Sequence, residues 1–208
     1  MTRTDRELLE AWREGDVDAG DTLFQRHFPA LYRFFRNKAG EEIDDLVQTT
    51  FLGCVEGRDR WREEATFRTY MFSIARRKLY DRYDHARRDG ERFADDTSTA
   101  HDQGPSPSRW LAEQGDRKAL LTALRSIPVA NQIALELYYV EGLRGPEIAE
   151  ILDVPEGTVR GRLKRALEQL RERVTQLDQR PDLQRSTIQD LEGWVAGLAE
   201  HMSPPEER

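Results

Sequence analysis

The stretch GLRGPEIAEILDVPEGTVRGRLKRA, from Gly142 to Ala166, decides how this chain is read. Gly145-Pro146-Glu147 opens a short helix, because a proline in a first turn gives up only an N–H that has no partner there. Ile148, Ala149, Ile151 and Leu152 recur at helical spacing and face inward. Asp153-Val154-Pro155 reads as a three-residue turn, and a longer helix follows with Val159, Leu163, Ala166, Leu167 and Leu170 on one side. Arg160, Arg162, Lys164 and Arg165 project away from that seam, and the small Ala149 sits where the two helices cross. Short helix, tight turn and longer basic helix make a helix-turn-helix, whose second helix enters a major groove. The alternative is a solvated helical hairpin whose arginines make only surface pairs.

Working outward toward the N-terminus, apolar residues keep helical spacing well beyond this unit. Downstream of about Arg117, Leu120, Leu121, Leu124 and Ile127 form one face, ended by Pro128. Ile133, Leu135, Leu137, Tyr138 and Val140 form another, ended at Gly142. Upstream there are three stripes: Leu23, Phe24, His27, Phe28, Leu31, Phe34 and Phe35; Leu46, Val47, Thr50, Phe51 and Val55; and Phe67, Met71, Ile74, Ala75 and Leu79. Gly40 and the stretch from Gly57 are the expected breaks. No segment alternates as a strand does, so the expected class is all-α.

The 208 residues are 34% charged and 38% hydrophobic, which favours two small cores over one large one. Between Asp89 and Asp116 the periodicity gives way to acidic, Gly/Pro/Ser-rich sequence, the composition of a flexible linker. The expected division is a helical bundle over 1–92, the linker over 93–116, the helix-turn-helix module over 117–174 and an extension over 175–208. In that extension Ser186-Thr-Ile-Gln189 forms a capping box for an amphipathic helix carrying Ile188, Leu191, Trp194, Val195, Leu198 and Met202. Such a helix must dock, either on this chain or on a partner, and its acidity would suit covering a basic surface.

The net charge of −7 looks wrong for a nucleic-acid binder, but the charge is segregated. Arg76 to Arg92 holds seven bases against four acids, and Arg160 to Arg173 six against two, whereas Glu41 to Thr50 has four acids and no base. Two kinds of partner are implied. A single cysteine, Cys54, excludes an internal disulfide and reads as a small core residue, and no Cys/His spacing suits zinc. No apolar run approaches the ~20 residues of a membrane span and no secretory signal is recognisable, so no membrane insertion and a cytoplasmic setting are expected. No catalytic constellation or phosphate-binding loop is present in the sequence, so neither enzymatic activity nor a cofactor is expected.

Taken in order, three segments resemble the extracytoplasmic-function (ECF) sigma factors, the compact two-domain initiation subunits of bacterial RNA polymerase. Ile43 to Phe51 (IDDLVQTTF) is similar to the family's segment that binds the polymerase clamp helices. Phe67 to Asp81 (FRTYMFSIARRKLYD) is similar to its promoter −10 segment, and Gly142 to Ala166 to its −35-reading helix-turn-helix. The resemblance runs from about Gly20 to Val174. It implies polymerase contacts at Asp44, Asp45, Leu46, Gln48 and Phe51. It implies −10 contacts at Arg76, Arg77, Lys78, Tyr80, Arg82, Tyr83, Arg87 and Arg88, where bases interleave with rings able to stack on an unpaired nucleotide. Trp61 would belong to the pocket for a flipped-out base or would plug the core. The −35 contacts implied are Glu156, Thr158, Arg160, Arg162, Lys164 and Arg165.

Each segment also has a plainer reading. An acidic first turn is what the helix dipole favours by itself. Where relatives carry an acid after the glutamine, this chain has Thr49. Phosphorylation of Thr49 or Thr50 by a Ser/Thr kinase would restore negative charge there, while a helix-compatible polar residue needs no such role. The resemblance further implies core RNA polymerase and promoter DNA as partners, and raises the question of an anti-sigma factor. The competing functions are a helix-turn-helix regulator that never touches polymerase, and a helical protein–protein adaptor.

Overall fold

The computed structural model describes residues 3–40, 42–59, 65–88, 115–177, 193, 195 and 197. Thr4 starts α1, Asp5–Arg13: its hydroxyl accepts from the Glu7 N–H, and the Glu7 carboxylate accepts from the Thr4 N–H, so two otherwise orphaned donors are satisfied. Asp16 caps α2, Val17–Arg36, by accepting from the Ala19 N–H. A left-handed Gly40 then turns the chain into α3, Ile43–Gly57, and α4 follows over Phe67–Arg88. All described segments are helical, turn or loop, without a strand.

The second half opens with α5, Gly115–Arg125, and α6, Val129–Leu135, which begins directly after Pro128. Val129, Ala130, Gln132, Ile133, Ala134 and Leu135 are all buried, as expected of a helix packed on every side. The chain then widens into a π turn, Glu136–Val140, which leaves Tyr138 exposed where the apolar spacing placed it inside. Pro146 stands in the first turn of α7, Gly145–Leu152, and Glu147 accepts from the Arg144 N–H. Asp153 is left-handed (φ 52°), and the Val154 N–H reaches back to the Ala149 carbonyl, closing α7 before α8, Glu156–Leu177.

Two clusters of buried residues result, but they do not follow the expected module boundaries. The first joins α1–α4 to the inner sides of α6 and α7, including Ile133, Leu137, Ile148, Ile151 and Leu152. The second holds Leu120, Leu121, Leu124, Ala166, Leu170 and Val174, and Val195 from the extension is fully buried in it. The extension therefore docks on its own chain, on the apolar side of α8 and not at this point on its basic side; its remaining predicted helix lies outside the described residues, as does the linker up to residue 114, α5 beginning at Gly115 within the expected linker. α4 packs directly on α7, and ion pairs Arg33–Glu141, Arg68–Glu141 and Lys38–Glu136 join the halves.

Candidate nucleic-acid interface

α3 turns Leu46, Val47, Thr50 and Cys54 inward, which leaves Asp44, Asp45 and Gln48 in solvent. Leu52 and Val55 are exposed on the same side, since positions 44, 48, 52 and 55 fall along one helix face. That face is a row of carboxylate, amide and aliphatic groups. Three expectations on this helix are corrected. Leu46 is 5% exposed and belongs to the core, not to a contact surface. Val55, placed inside by its spacing, faces out. Thr50 is fully buried and its hydroxyl donates to the Leu46 carbonyl at 2.6 Å, so it is no accessible phosphorylation site. Phe51 is half-buried, stacked on Phe24 at 4.7 Å. Thr49 stays half-exposed, its hydroxyl donating to the Asp45 carbonyl at 2.9 Å. Burial pushes the Cys54 thiol up to about 12, which suits an inert core residue.

α4 offers a narrower basic face than its composition implies. Arg77 is exposed, Lys78 is half-buried, and the Arg76 guanidinium lies 5.1 Å from the Tyr80 ring centre. Arg82 is held by Glu42. Tyr83 is not available for stacking on a base: it is 5% exposed and its hydroxyl donates to the Lys38 carbonyl at 3.0 Å. Arg87 and Arg88 lie on α4, with side chains outside the described set, and Trp61 also falls outside it. Ser73, Arg76, Arg77, Tyr80 and Asp81 form one wall of a cleft of about 450 Å³, and Glu150 and Ile151 of α7, with Asp153 just past its end, form the other.

On α8, Val159 and Ala166 face the core while Glu156, Arg160, Lys164 and Arg165 are exposed and Thr158 and Arg162 half-buried. Lys164 reaches the exposed Glu168 at 4.0 Å, a pair of little energetic weight. The outer side of α8 thus carries cations whose charge is available to phosphates. Sequence reasoning missed Leu52; its four-residue spacing from Gln48 was the signal that could have found it. Among the described residues, no group of three or more His, Cys, Asp or Glu could hold a metal ion, and no helix is long and apolar enough to cross a membrane.

A helical bundle with an acidic face and a basic face, followed by a helix-turn-helix, defines a two-module DNA-binding transcription protein. Residues 23–89 match Sigma-70 region 2, and residues 117–170 match Sigma-70, region 4. The chain belongs to the ECF RNA polymerase sigma factors, which are transcription initiation factors. It is 31% identical over 173 residues to the RNA polymerase sigma factor CarQ of Myxococcus xanthus, covering 82% of this chain and 97% of that protein. It is 31% identical over 170 residues to the ECF RNA polymerase sigma factor SigM of Mycobacterium tuberculosis, covering 81% of this chain and 83% of SigM. In fold it is similar to CnrH, solved in complex with the cytosolic domain of CnrY, with a TM-score of 0.65 at 23% identity over 84% of this chain and 99% of CnrH. It is also similar to RpoE of Bartonella quintana, solved in complex with the anti-sigma factor NepR, with a TM-score of 0.56 at 21% identity over 74% of this chain and 97% of RpoE. Nothing in these relationships supports a regulator that avoids polymerase or a plain adaptor.

Proposed function

We propose that this alternative sigma factor recruits core RNA polymerase from the cytoplasm to promoters through three surfaces and helps to open them. Asp44, Asp45 and Gln48, flanked by Leu52 and Val55, bind the clamp helices: carboxylates match a basic partner, and the aliphatic pair supplies the apolar contact that charge alone lacks. Arg76, Arg77, Lys78 and Tyr80 hold the −10 strand, and by family resemblance Arg87, Arg88 and Trp61 take part in the same contact. Thr158, Arg160, Arg162, Lys164 and Arg165, with Glu156 at the start of the helix, read the −35 element from the major groove. Opening needs no nucleophile, because binding energy for the exposed single strand offsets an unpairing cost of a few kcal/mol per step.

The observation that carries this reading is that an exposed acidic and aliphatic face occurs on the segment matched to region 2, and an exposed basic helix on the segment matched to region 4. An anti-sigma partner suits it as well, given the RpoE–NepR complex among its structural relatives. Capture of core polymerase followed by run-off transcription from a bound promoter is the test. Both are expected; a folded protein that binds promoter DNA but never joins the core enzyme would overturn the reading.

A further inference from the structure

The two halves of the chain are held together by charge: three ion pairs run from bundle cations to carboxylates of the helix-turn-helix half, while Arg125 of α5 also lies within electrostatic reach of Lys38. The bundle presents three cations to the helix-turn-helix half, Arg33, Lys38 and Arg68, and receives two carboxylates, Glu136 and Glu141. Lys38 is 0% exposed, Glu136 2% and Glu141 8%. Arg33 grips Glu141 with two bonds, at 2.8 and 3.0 Å. Arg68 donates to the Glu141 carboxylate at 2.8 Å and to its carbonyl at 3.0 Å. Lys38 pairs with Glu136, whose other oxygen accepts from Gln132 at 3.0 Å.

The π turn is what aims both carboxylates the same way. In an α-helix, residues five apart lie about 140° apart around the axis, so Glu136 and Glu141 would point to different sides. Here the Glu141 N–H bonds the Glu136 carbonyl at 2.9 Å, the five-residue spacing of a π turn, which stacks the two residues over one another.

Charges buried in this way add little stability that well-packed apolar groups would not, because both ions give up hydration. That hydration is recovered when the halves part. An ionic seam is therefore reversible in a way that an apolar core is not. Closure has a consequence for α4: α7 lies across it, and Glu150 and Asp153 face Arg76, Arg77 and Tyr80 over the cleft, where a nucleic-acid strand would bring its phosphates.

We propose that Glu136 and Glu141, aligned by the π turn, form an autoinhibitory latch that closes the helix-turn-helix half over α4 and must release before α4 can hold a nucleic-acid strand. The proposal rests on the proposed function only for the identity of the strand.

Spin labels on Asp21→Cys and Glu172→Cys, one exposed site in each half, report the separation in the full-length chain, with Cys54 buried and unlabelled. Glu141→Lys places a third cation against Arg33 and Arg68. It is expected to lengthen and broaden the distance and to tighten binding of a short fluorescein-labelled single-stranded DNA by about fivefold. Adding Arg76→Ala should abolish that gain. Circular dichroism checks folding, and if Glu141→Lys does not fold, Glu141→Gln, which keeps the shape and removes only the charge, supplies the same readings. A folded variant with the parent distance overturns the latch; a variant that opens without gaining affinity overturns the occlusion of α4. Neither readout contains polymerase or a promoter, so failure of the sigma-factor reading would show separately, in the capture and run-off assays.

Discussion

The indole of Trp12 fills the space that a side chain at Gly20 would need: a Cβ there would lie 2.7 Å from Trp12 Cδ1 and Nε1. α1 can therefore lie against α2 only because position 20 is bare. Helix propensity alone makes Gly→Ala stabilising by roughly 1 kcal/mol in a helix interior. Packing opposes this, since Trp12 is also held from its other neighbours, with Phe24 edge-on at 5.1 Å and the Arg58 guanidinium 5.2 Å from its ring. Gly20→Ala is expected to destabilise by about 1–3 kcal/mol in urea unfolding. A more stable variant would mean that the α1–α2 contact yields easily.

The same helix pair should loosen in acid. Asp5 pairs with His27 at 2.7 Å and accepts from Arg26 at 2.6 Å, and these contacts, the His27 bond foremost, hold its carboxyl below the ordinary 3.8. A carboxylate whose pKa is lower in the folded protein contributes its full stability above the unfolded value and loses it as pH falls through the folded one. Asp5→Asn should cost about 1 kcal/mol at neutral pH, a modest figure because the pair is partly solvated. The gap between variant and parent should close below pH 3.8. A gap that is constant with pH would mean that the ionised carboxylate does not anchor α1.

The helix-turn-helix was legible because its punctuation is local. Pro146 in a first turn, Asp153 at a left-handed stop and Pro155 before α8 each act within a few residues. The stripes were less exact. Periodicity locates an apolar face but not its edges, so Val55 and Tyr138 were placed inside, and Leu46, Thr50 and Tyr83 were offered as surface groups. The seam between the halves was not legible at all: Lys38 and Glu136 are 98 positions apart, and nothing in ELYYV distinguishes a π turn from an α-helix. For the same reason two independent cores were expected where one cluster runs through both halves.

Val195 carries a further prediction because it is fully buried against α5 and α8. Removing its two methyl groups in Val195→Ala should cost about 2 kcal/mol, and Val195→Asp more, since an unpaired carboxylate would enter an apolar cluster. Thermal unfolding of the full chain checks this. Removal of residues 175–208 should likewise lower the stability of the helix-turn-helix half. Variants that melt with the parent would place the extension elsewhere.

Asp45 and Gln48 are exposed, so changing them should leave the fold within about 0.5 kcal/mol while altering the surface. Asp45→Lys is expected to abolish capture of core polymerase with unchanged melting, and Leu52→Ala to weaken it. Thr49→Glu should bind more tightly than Thr49→Ala if negative charge at that position strengthens the contact; equal affinities would leave Thr49 no part as a phosphorylation switch.

For α8 the discriminating quantity is salt dependence, not affinity at one condition. Each cation that neutralises a phosphate releases condensed counterions, so log K falls with log[salt] by about 0.9 per contact on duplex DNA. Arg160→Ala and Lys164→Ala, both at exposed positions, should each flatten the slope by about that amount if their side chains sit on phosphates. A side chain that reads a base edge behaves differently: its loss costs about 1–3 kcal/mol on the preferred site and relaxes discrimination at one base pair. Arg160, in the first turns of α8, is expected to show the base-edge signature, and Lys164, one turn further on, the phosphate signature. Salt titrations on matched and single-substituted duplexes separate the two, and a slope unchanged in both variants would remove the outer side of α8 from the DNA interface.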